Sequence, residues 1–223
     1  MPELPEVETI RRIVERTLVG RAIEEVDLRL PKLLRTSPLP TLNSLLSQQV
    51  LAARRRAKVL VIDCSGSLSL MMHFKLAGQF SVHTAEGVRH TAGHPVPDPS
   101  GPYPHRTTHL ILALTGGVTA YLSDVRQFGW LRLLPTPDVE TALDAFRFGP
   151  EAVGRDSIGR EDLAARLARR RIPVKLALLD QGVLAGLGNI YVDEALHRAG
   201  LHPERPANSL ANEELDRLHA AIP

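Results

Sequence analysis

The sequence predicts a two-domain α+β chain, with an N-terminal β-sandwich led by a helix and a helical C-terminal domain. Three observations carry this expectation. Val7, Ile10, Val14 and Leu18 recur at helical spacing ahead of Gly20; short apolar runs then continue to Leu134; and helical patterning replaces them after Pro135 and Pro137. At 223 residues with 43% hydrophobic content, the chain can hold one large core or two small ones, and the change of pattern favours two.

The elements follow in order. Residues 5–19 read as an amphipathic helix whose N-terminus presents Pro2 and Glu3. Val26, Leu28 and Leu30 alternate with polar residues, as in a half-buried strand. The runs Val59–Ile62, Leu68–Phe74, His109–Leu114, Val118–Leu122 and Trp130–Leu134 are separated by glycine, serine or charged breaks, the pattern of a sandwich or barrel. Thr115-Gly116-Gly117 predicts a tight hairpin. From Ser81 to Arg106, Pro95, Pro97, Pro99, Pro102 and Pro104 stand among glycines, which predicts a long loop that cannot continue a central strand.

This places a β-sandwich domain over 1–135, a linker over 136–149 and a helical domain over 150–223. In the last, Leu163 and Leu167, then Leu176, Leu178 and Leu179, predict two helices interrupted near Pro173. Gly182 to Gly188 reads as a turn region, Asn189 as the cap of a helix to about Ala199, and Gly200 as its stop. Ser209 is expected to cap a final helix carrying Leu210, Leu215, Leu218 and Ile222.

Net charge is only +2, yet 27 Lys and Arg residues and a pI near 8.9 make a polyanion a reasonable partner if the cations cluster. Two groups do so in sequence: Arg54, Arg55, Arg56 and Lys58; and Arg160, Arg166, Arg169, Arg170, Arg171 and Lys175. Either could equally be a solvated face. No apolar run approaches the roughly 20 residues that span a bilayer, and acidic residues stand where a secretory signal would be basic and then apolar, so a cytoplasmic protein without membrane contact is expected. Cys64 is the single cysteine, which excludes an intrachain disulfide or thiolate zinc cluster and predicts a small core residue. The nine histidines show no metal-ligand spacing.

Chemistry enters with Pro-Glu-Leu-Pro-Glu-Val-Glu-Thr, read from Pro2. Removal of Met1 would leave a secondary amine beside a carboxylate. An α-amino group titrates near ~8, far below lysine, so part of it is unprotonated at neutral pH and able to attack a sugar aldehyde carbon. Taken alone, the same residues also suit a helix start.

Further motifs follow in order at Arg56-Ala57-Lys58, His105, Asp124-Val125-Arg126-Gln127-Phe128-Gly129 and Gly186-Leu187-Gly188-Asn189-Ile190-Tyr191. Together with the opening octapeptide they resemble the formamidopyrimidine-DNA glycosylases, bifunctional base-excision enzymes. The resemblance implies that Pro2 is the covalent nucleophile, Glu3 the acid at the opening sugar ring and Lys58 a cation near sugar and phosphate. It also implies that Arg126 fills the space left by the flipped nucleotide, that Phe128 and Leu76 intercalate, and that His105, Arg171, Asn189 and Tyr191 contact DNA. Gly186, Gly188 and Asn189 would form the phosphate-clamping turn of a helix-two-turn-helix motif.

Departures from the family pattern accompany these matches. Gln127 stands where a second arginine is usual, Leu76 where a methionine completes the intercalating trio, and Arg171 where a lysine is expected. Relatives continue into a four-cysteine zinc hairpin that contributes an arginine to DNA. These 223 residues include none of it, so no cofactor is expected in them, and either a partial chain or a divergent, weakened enzyme is implied. The implied function is removal of oxidised purines such as 8-oxoguanine, with lyase cleavage at the abasic site, by a monomer on double-stranded DNA. Two alternatives stand beside it. One is a non-catalytic or weakly active protein that binds lesions or abasic sites; the other is an endonuclease VIII-like enzyme for oxidised pyrimidines, against which Leu4 and Pro5-Glu6-Val7-Glu8-Thr9 speak.

Overall fold

A computed structural model describes residues 2–154 and 157–222 and divides the chain into two compact units, Met1–Thr141 and Ala142–Pro223. The first unit opens with helix α1 (Leu4–Thr17), in which Leu4, Val7, Ile10, Ile13 and Val14 are buried. The Glu6 carboxylate accepts the Glu3 N–H at 2.9 Å, so a donor that the first turn would leave orphaned is satisfied.

Nine strands follow: β1 (Ile23–Leu28), β2 (Val50–Arg56), β3 (Val59–Cys64), β4 (Leu68–His73), β5 (Gly78–His83), β6 (Arg89–Gly93), β7 (Thr108–Leu114), β8 (Val118–Asp124) and β9 (Trp130–Pro135). They form two antiparallel sheets, ordered β1-β7-β8-β5-β6 and β2-β3-β4-β9. Leu60, Ile62, Leu70, Met72, Leu131 and Leu133 from the smaller sheet share one core with Phe80, Val82, Leu110, Leu112, Ala120 and Leu122 from the larger. Each of these side chains other than Ala120 stabilises by roughly 1.5–3 kcal/mol relative to exposure. Helix α1 packs on β2 and β6, an edge strand of each sheet, and so closes one open side of the sandwich.

The strand expectations need three corrections. β2 is absent from the expected list, because its arginines hide a strand whose inward residues are Val50 and Ala53. The expected loop from Ser81 to Arg106 contains the end of β5 and all of β6; the irregular part begins only after Gly93. β6 is an edge strand, which agrees with the exclusion of a central one. The first strand ends at Leu28, and Leu30 instead precedes a short 3-10 helix over Pro31–Leu34. The Thr115-Gly116-Gly117 hairpin forms as expected, with positive φ at both glycines.

Beyond β9 come a 3-10 turn (Thr136–Asp138) and α2 (Val139–Asp144), both within the stretch expected to be a linker. The second unit is helical: α3 (Arg160–Ala168), α4 (Val174–Leu179), α5 (Asn189–Ala199) and α6 (Asn212–Ala221). Pro173 is the residue before α4, as the interruption required. Two caps differ from expectation. Asn189 is the first helical residue of α5 behind Gly188, and Ser209 lies in a 3-10 turn while α6 starts after Ala211, whose N–H the Glu214 carboxylate accepts at 2.9 Å. Gly200 ends α5 in the left-handed conformation, φ 66°, as its sequence position implied.

Candidate active site

Strand register decides which turns share an end of the sandwich. Arg56 pairs with Val59 across the β2–β3 hairpin, Val59 with His73, and His73 with Trp130. In the other sheet Gly78 pairs with Asp124, Gln79 with Gly93 and Ser123, and Thr108 with Ser123. The β2–β3 turn, the 74–77 connection, the 125–129 turn and the 94–107 loop therefore gather at one end. They bring Lys58, Leu76, Arg126, Phe128 and His105 to it. Arg11 of α1 reaches the Ala53 carbonyl and Glu8 reaches Arg55, so the helix runs with its N-terminus toward the β2–β3 turn at the same end.

Lys58 follows Ala57, a fully buried residue with φ 50°, in a two-residue hairpin. The Arg55 guanidinium donates to the Ala57 carbonyl at 2.8 Å and lies 3.4 Å from Glu8 of α1. Glu8 also binds Arg11 and Arg12, and these partners overcome its burial to hold the carboxyl near about 2. The clamp ties the hairpin to the helix that carries Pro2 and Glu3. Pro2 is buried, Glu3 is 0% exposed and Lys58 8% exposed. Burial holds the Lys58 ammonium below the ordinary lysine range against the pull of Glu3 and Glu6, and Lys75 depresses it further.

His73 lies beside this group. Burial, then Lys75 and Lys58, push its imidazole down to about 3, so the ring is neutral at neutral pH, and its Nδ1 accepts the Lys75 N–H at 2.9 Å. Lys75 and Leu76 project between buried Phe74 and Ala77, and a Cβ on Gly78 would stand 2.7 Å from the Phe74 carbonyl oxygen, so glycine is required there. His73 and Lys75 were not expected from sequence. Lys75 is marked by an αL backbone, φ 49°, that no propensity reveals.

The 125–129 turn is pinned by Asp124, which is 2% exposed. Its two carboxylate oxygens accept the Arg126 N–H at 3.0 Å and the Gly129 N–H at 2.8 Å, and its carbonyl accepts the Gln127 N–H at 3.2 Å. Phe128 is 53% exposed, and the Arg126 guanidinium lies 5.1 Å from its ring centroid. Leu76 is 38% exposed.

The 94–107 loop is organised by Gln79, a buried strand residue that sequence reading passed over. Its amide donates to the carbonyls of His94 at 2.8 Å and Pro97 at 2.7 Å and accepts the Tyr103 hydroxyl at 2.8 Å. The Tyr103 ring meets His105 edge-on at 4.1 Å. Nε2 of His105 is buried with no hydrogen-bond partner in the protein.

In the second unit, Asp180 accepts the Gly182 N–H and Gln181 the Gly186 N–H, both at 2.9 Å, and the Gln181 amide donates to Leu187 O at 2.8 Å. This sets Asn189, which is exposed, at the positive end of the 11-residue α5, with Tyr191 half-buried on the same turn. Arg171 is exposed ahead of α4. Most of the arginine cluster around it is engaged with carboxylates: Arg160 with Asp216, Arg166 with Asp162, Arg170 with Asp180 and Lys175 with Asp193. Arg54 is likewise held by Asp63 and Glu140.

The family model for the formamidopyrimidine-DNA glycosylase N-terminal domain matches residues 1–131, and that for its helix-two-turn-helix domain matches residues 148–223. The chain belongs to the formamidopyrimidine-DNA glycosylase family. It is 44% identical over 210 residues to the formamidopyrimidine-DNA glycosylase of Cereibacter sphaeroides, covering 94% of this chain and 71% of that one. With the enzyme of Methylobacterium nodulans the identity is 43% over 213 residues, covering 95% and 71%. The solved Lactococcus lactis glycosylase bound to DNA with an abasic site superposes with a TM-score of 0.85 at 29% identity, covering 99% of this chain and 75% of that one. The same enzyme with DNA containing a benzylated formamidopyrimidine lesion gives 0.85 at 29%, covering 99% and 76%.

The zinc that the family resemblance implies finds no thiolate set in these residues. Cys64 is buried in β3, where burial and Asp63 push its thiol up to about 12, so it does not fit a zinc ligand. Among the described residues no group of three or more His, Cys, Asp or Glu side chains could hold a metal, and no helix is long and apolar enough to cross a membrane.

Proposed function

We propose that this chain is a bifunctional DNA glycosylase that excises oxidised purines, including 8-oxoguanine and formamidopyrimidines, from double-stranded DNA and cleaves the resulting abasic site. The observation that carries the reading is a fully buried Glu3 acting on a nearly buried Lys58, beside Pro2, at the sandwich end that also bears exposed Arg126, Phe128 and Leu76. Membership in a glycosylase family, and solved relatives bound to abasic-site and lesion DNA, support it. A cytoplasmic monomer acting on the nucleoid fits the same reading.

Once Met1 is removed, the Pro2 nitrogen is a secondary amine able to bond to C1′ of the damaged nucleotide as the bond from C1′ to the base breaks. Glu3 supplies the proton to the opening sugar-ring oxygen. The resulting iminium acidifies the C2′ hydrogen, and its loss expels the 3′ phosphate, with Lys58 placed to steady the anion. Arg126, Phe128 and Leu76 fill the vacated stack, which offsets part of the few kcal/mol that unstacking costs. Asn189, with Tyr191, Arg171 and His105, grips backbone phosphates.

The test is borohydride trapping on abasic duplex. Protein shown by mass to lack Met1 is expected to cross-link, whereas protein retaining Met1 is not, since its Pro2 nitrogen is a tertiary amide. Undiminished cross-linking by the Met1-bearing form overturns the assignment of Pro2. A lesion panel in which oxidised pyrimidines are preferred over 8-oxoguanine overturns the purine assignment.

A further inference from the structure

One cavity borders the 125–129 turn and is otherwise lined by residues given no role so far. It has a volume of about 320 Å³ and is lined by Lys32, Leu33, Arg35, Thr36, Trp130 and Arg132 together with the turn residues Gln127 to Gly129. Lys32, Arg35 and Arg132 line it, with no carboxylate among the lining residues. Lys32 and Arg35 are exposed because the adjacent Leu33 and Leu34 anchor the 3-10 helix in the core. The Arg132 guanidinium lies 4.9 Å from the Trp130 ring centroid, and its Nε donates to Thr36 Oγ1 at 3.2 Å.

The walls are fixed before any ligand arrives. Leu39 N–H donates to Leu133 O at 3.1 Å, and Leu133 N–H donates to Ser37 Oγ at 2.8 Å, which fastens the segment after Arg35 to β9. Strand order then fixes where the pocket stands relative to the reaction. Across the four-stranded sheet, the Lys58 turn belongs to β2 and β3, Leu76 follows β4, and Trp130 and Arg132 belong to β9 at the far edge. Leu76 thus stands between the reactive group and the pocket, and Phe128 forms the pocket's own rim. A strand that passes Pro2 and Lys58 lies on one side of this wedge, and its complement on the other.

We propose that this pocket binds a backbone phosphate of the strand opposite the damaged nucleotide, with Lys32 and Arg35 as its principal donors and the Trp130–Arg132 pair as its floor. The inference rests on the glycosylase reading and extends it to the undamaged strand. It also supplies cationic contacts next to Gln127, where the family resemblance led us to expect an arginine.

The experiment measures binding of the chain to a duplex with a stable abasic analogue across a salt series. For the double variant Lys32→Ala, Arg35→Ala, the slope of log affinity against log salt is expected to fall by about one, since each neutralised phosphate contributes ~0.9. Borohydride trapping should fall about tenfold more on duplex than on single-stranded abasic DNA. As a second measurement, neutral methylphosphonate linkages placed singly opposite the lesion should weaken the unaltered protein at one position and leave the double variant indifferent there. An unchanged slope, or equal losses on single and double strands, overturns the proposal while leaving the glycosylase reading standing. Sensitivity only to linkages in the damaged strand does the same. Binding of inorganic phosphate or free nucleotide at the pocket in preference to duplex would assign it to a small ligand instead and overturn the strand contact. An unaltered protein that neither binds nor traps abasic duplex overturns both readings.

Discussion

Glu3 and Lys58 are buried, and they meet only because helix α1, a β-hairpin and the Glu8–Arg55 clamp bring distant parts of the first unit together. Asn189 and Arg171 are exposed, and the turn before Asn189 is set by hydrogen bonds of Asp180 and Gln181 to residues within 180–187. The contrast follows from what each must do. Lys58, whose ionisation is tuned by desolvation, needs walls from several elements, whereas a group proposed to meet a solvated phosphate needs only a stiff local backbone and access to water.

The largest expected effect tests the buried side. Glu3→Gln should lower single-turnover excision by about 10²–10⁴-fold, far beyond any loss of stability from leaving the buried Lys58 less compensated, which denaturant unfolding of the same variant measures. Excision that survives would reduce Glu3 to a helix-terminus residue. Asp124→Ala should cost roughly 1.5–3 kcal/mol in denaturant unfolding, since a buried carboxylate leaves two N–H groups without their acceptor. Its excision from duplex, like that of Arg126→Ala, should drop more than its cleavage of preformed abasic sites. Equal drops would make the turn a mere phosphate contact.

His73 sharpens the comparison through acid stability. Its folded pKa, about 3, lies below the unfolded value, so the unfolded state takes up a proton first and stability falls as pH drops from about 6.5 toward 3. His73→Gln should remove up to about 1.4 kcal/mol per pH unit of that slope. If the acid limb keeps its slope, the ring is more hydrated than its packing implies. On the exposed side, Asn189→Ala should weaken DNA binding by about 0.5–1.5 kcal/mol, leave the salt slope unaltered because the amide is neutral, and shift unfolding by less than about 0.5 kcal/mol. Smallest of all, Lys75→Gln removes a like charge from Lys58, raises its pKa, and should move the alkaline limb of the trapping profile to higher pH. A downward move would contradict that placement.

Much of this was legible from sequence, and the exceptions have physical causes. The leading helix, the hairpin glycines and Gly200 were readable because period and φ preference act locally. β5 escaped notice because Gln79 and Ser81 are polar yet almost fully buried, with Gln79 bonded to the 94–107 loop and Ser81 to Thr91, so the strand lacks an apolar alternation. β2 was masked by arginines that answer Glu8, Asp63 and Glu140 on other elements. The motifs marked Pro2, Glu3, Lys58, Arg126 and Asn189 as candidates, but not the residues that hold them in place. Asp124 lay inside a quoted motif without a role, and His73 and Lys75 became visible only through strand register.

The pinned 125–129 turn also bears on search. A protein sliding along a chromosome meets sound base pairs almost everywhere, and a pliant loop would mould itself to each of them and linger. Asp124 instead gives the turn one fixed profile, with Phe128 at its tip. Such a profile enters only where the stack yields, and unstacking is cheapest at mismatched or damaged steps. If Phe128 wedges into duplex DNA as proposed, discrimination starts with the mechanical compliance of the duplex, before any atom of the lesion comes near a reactive group.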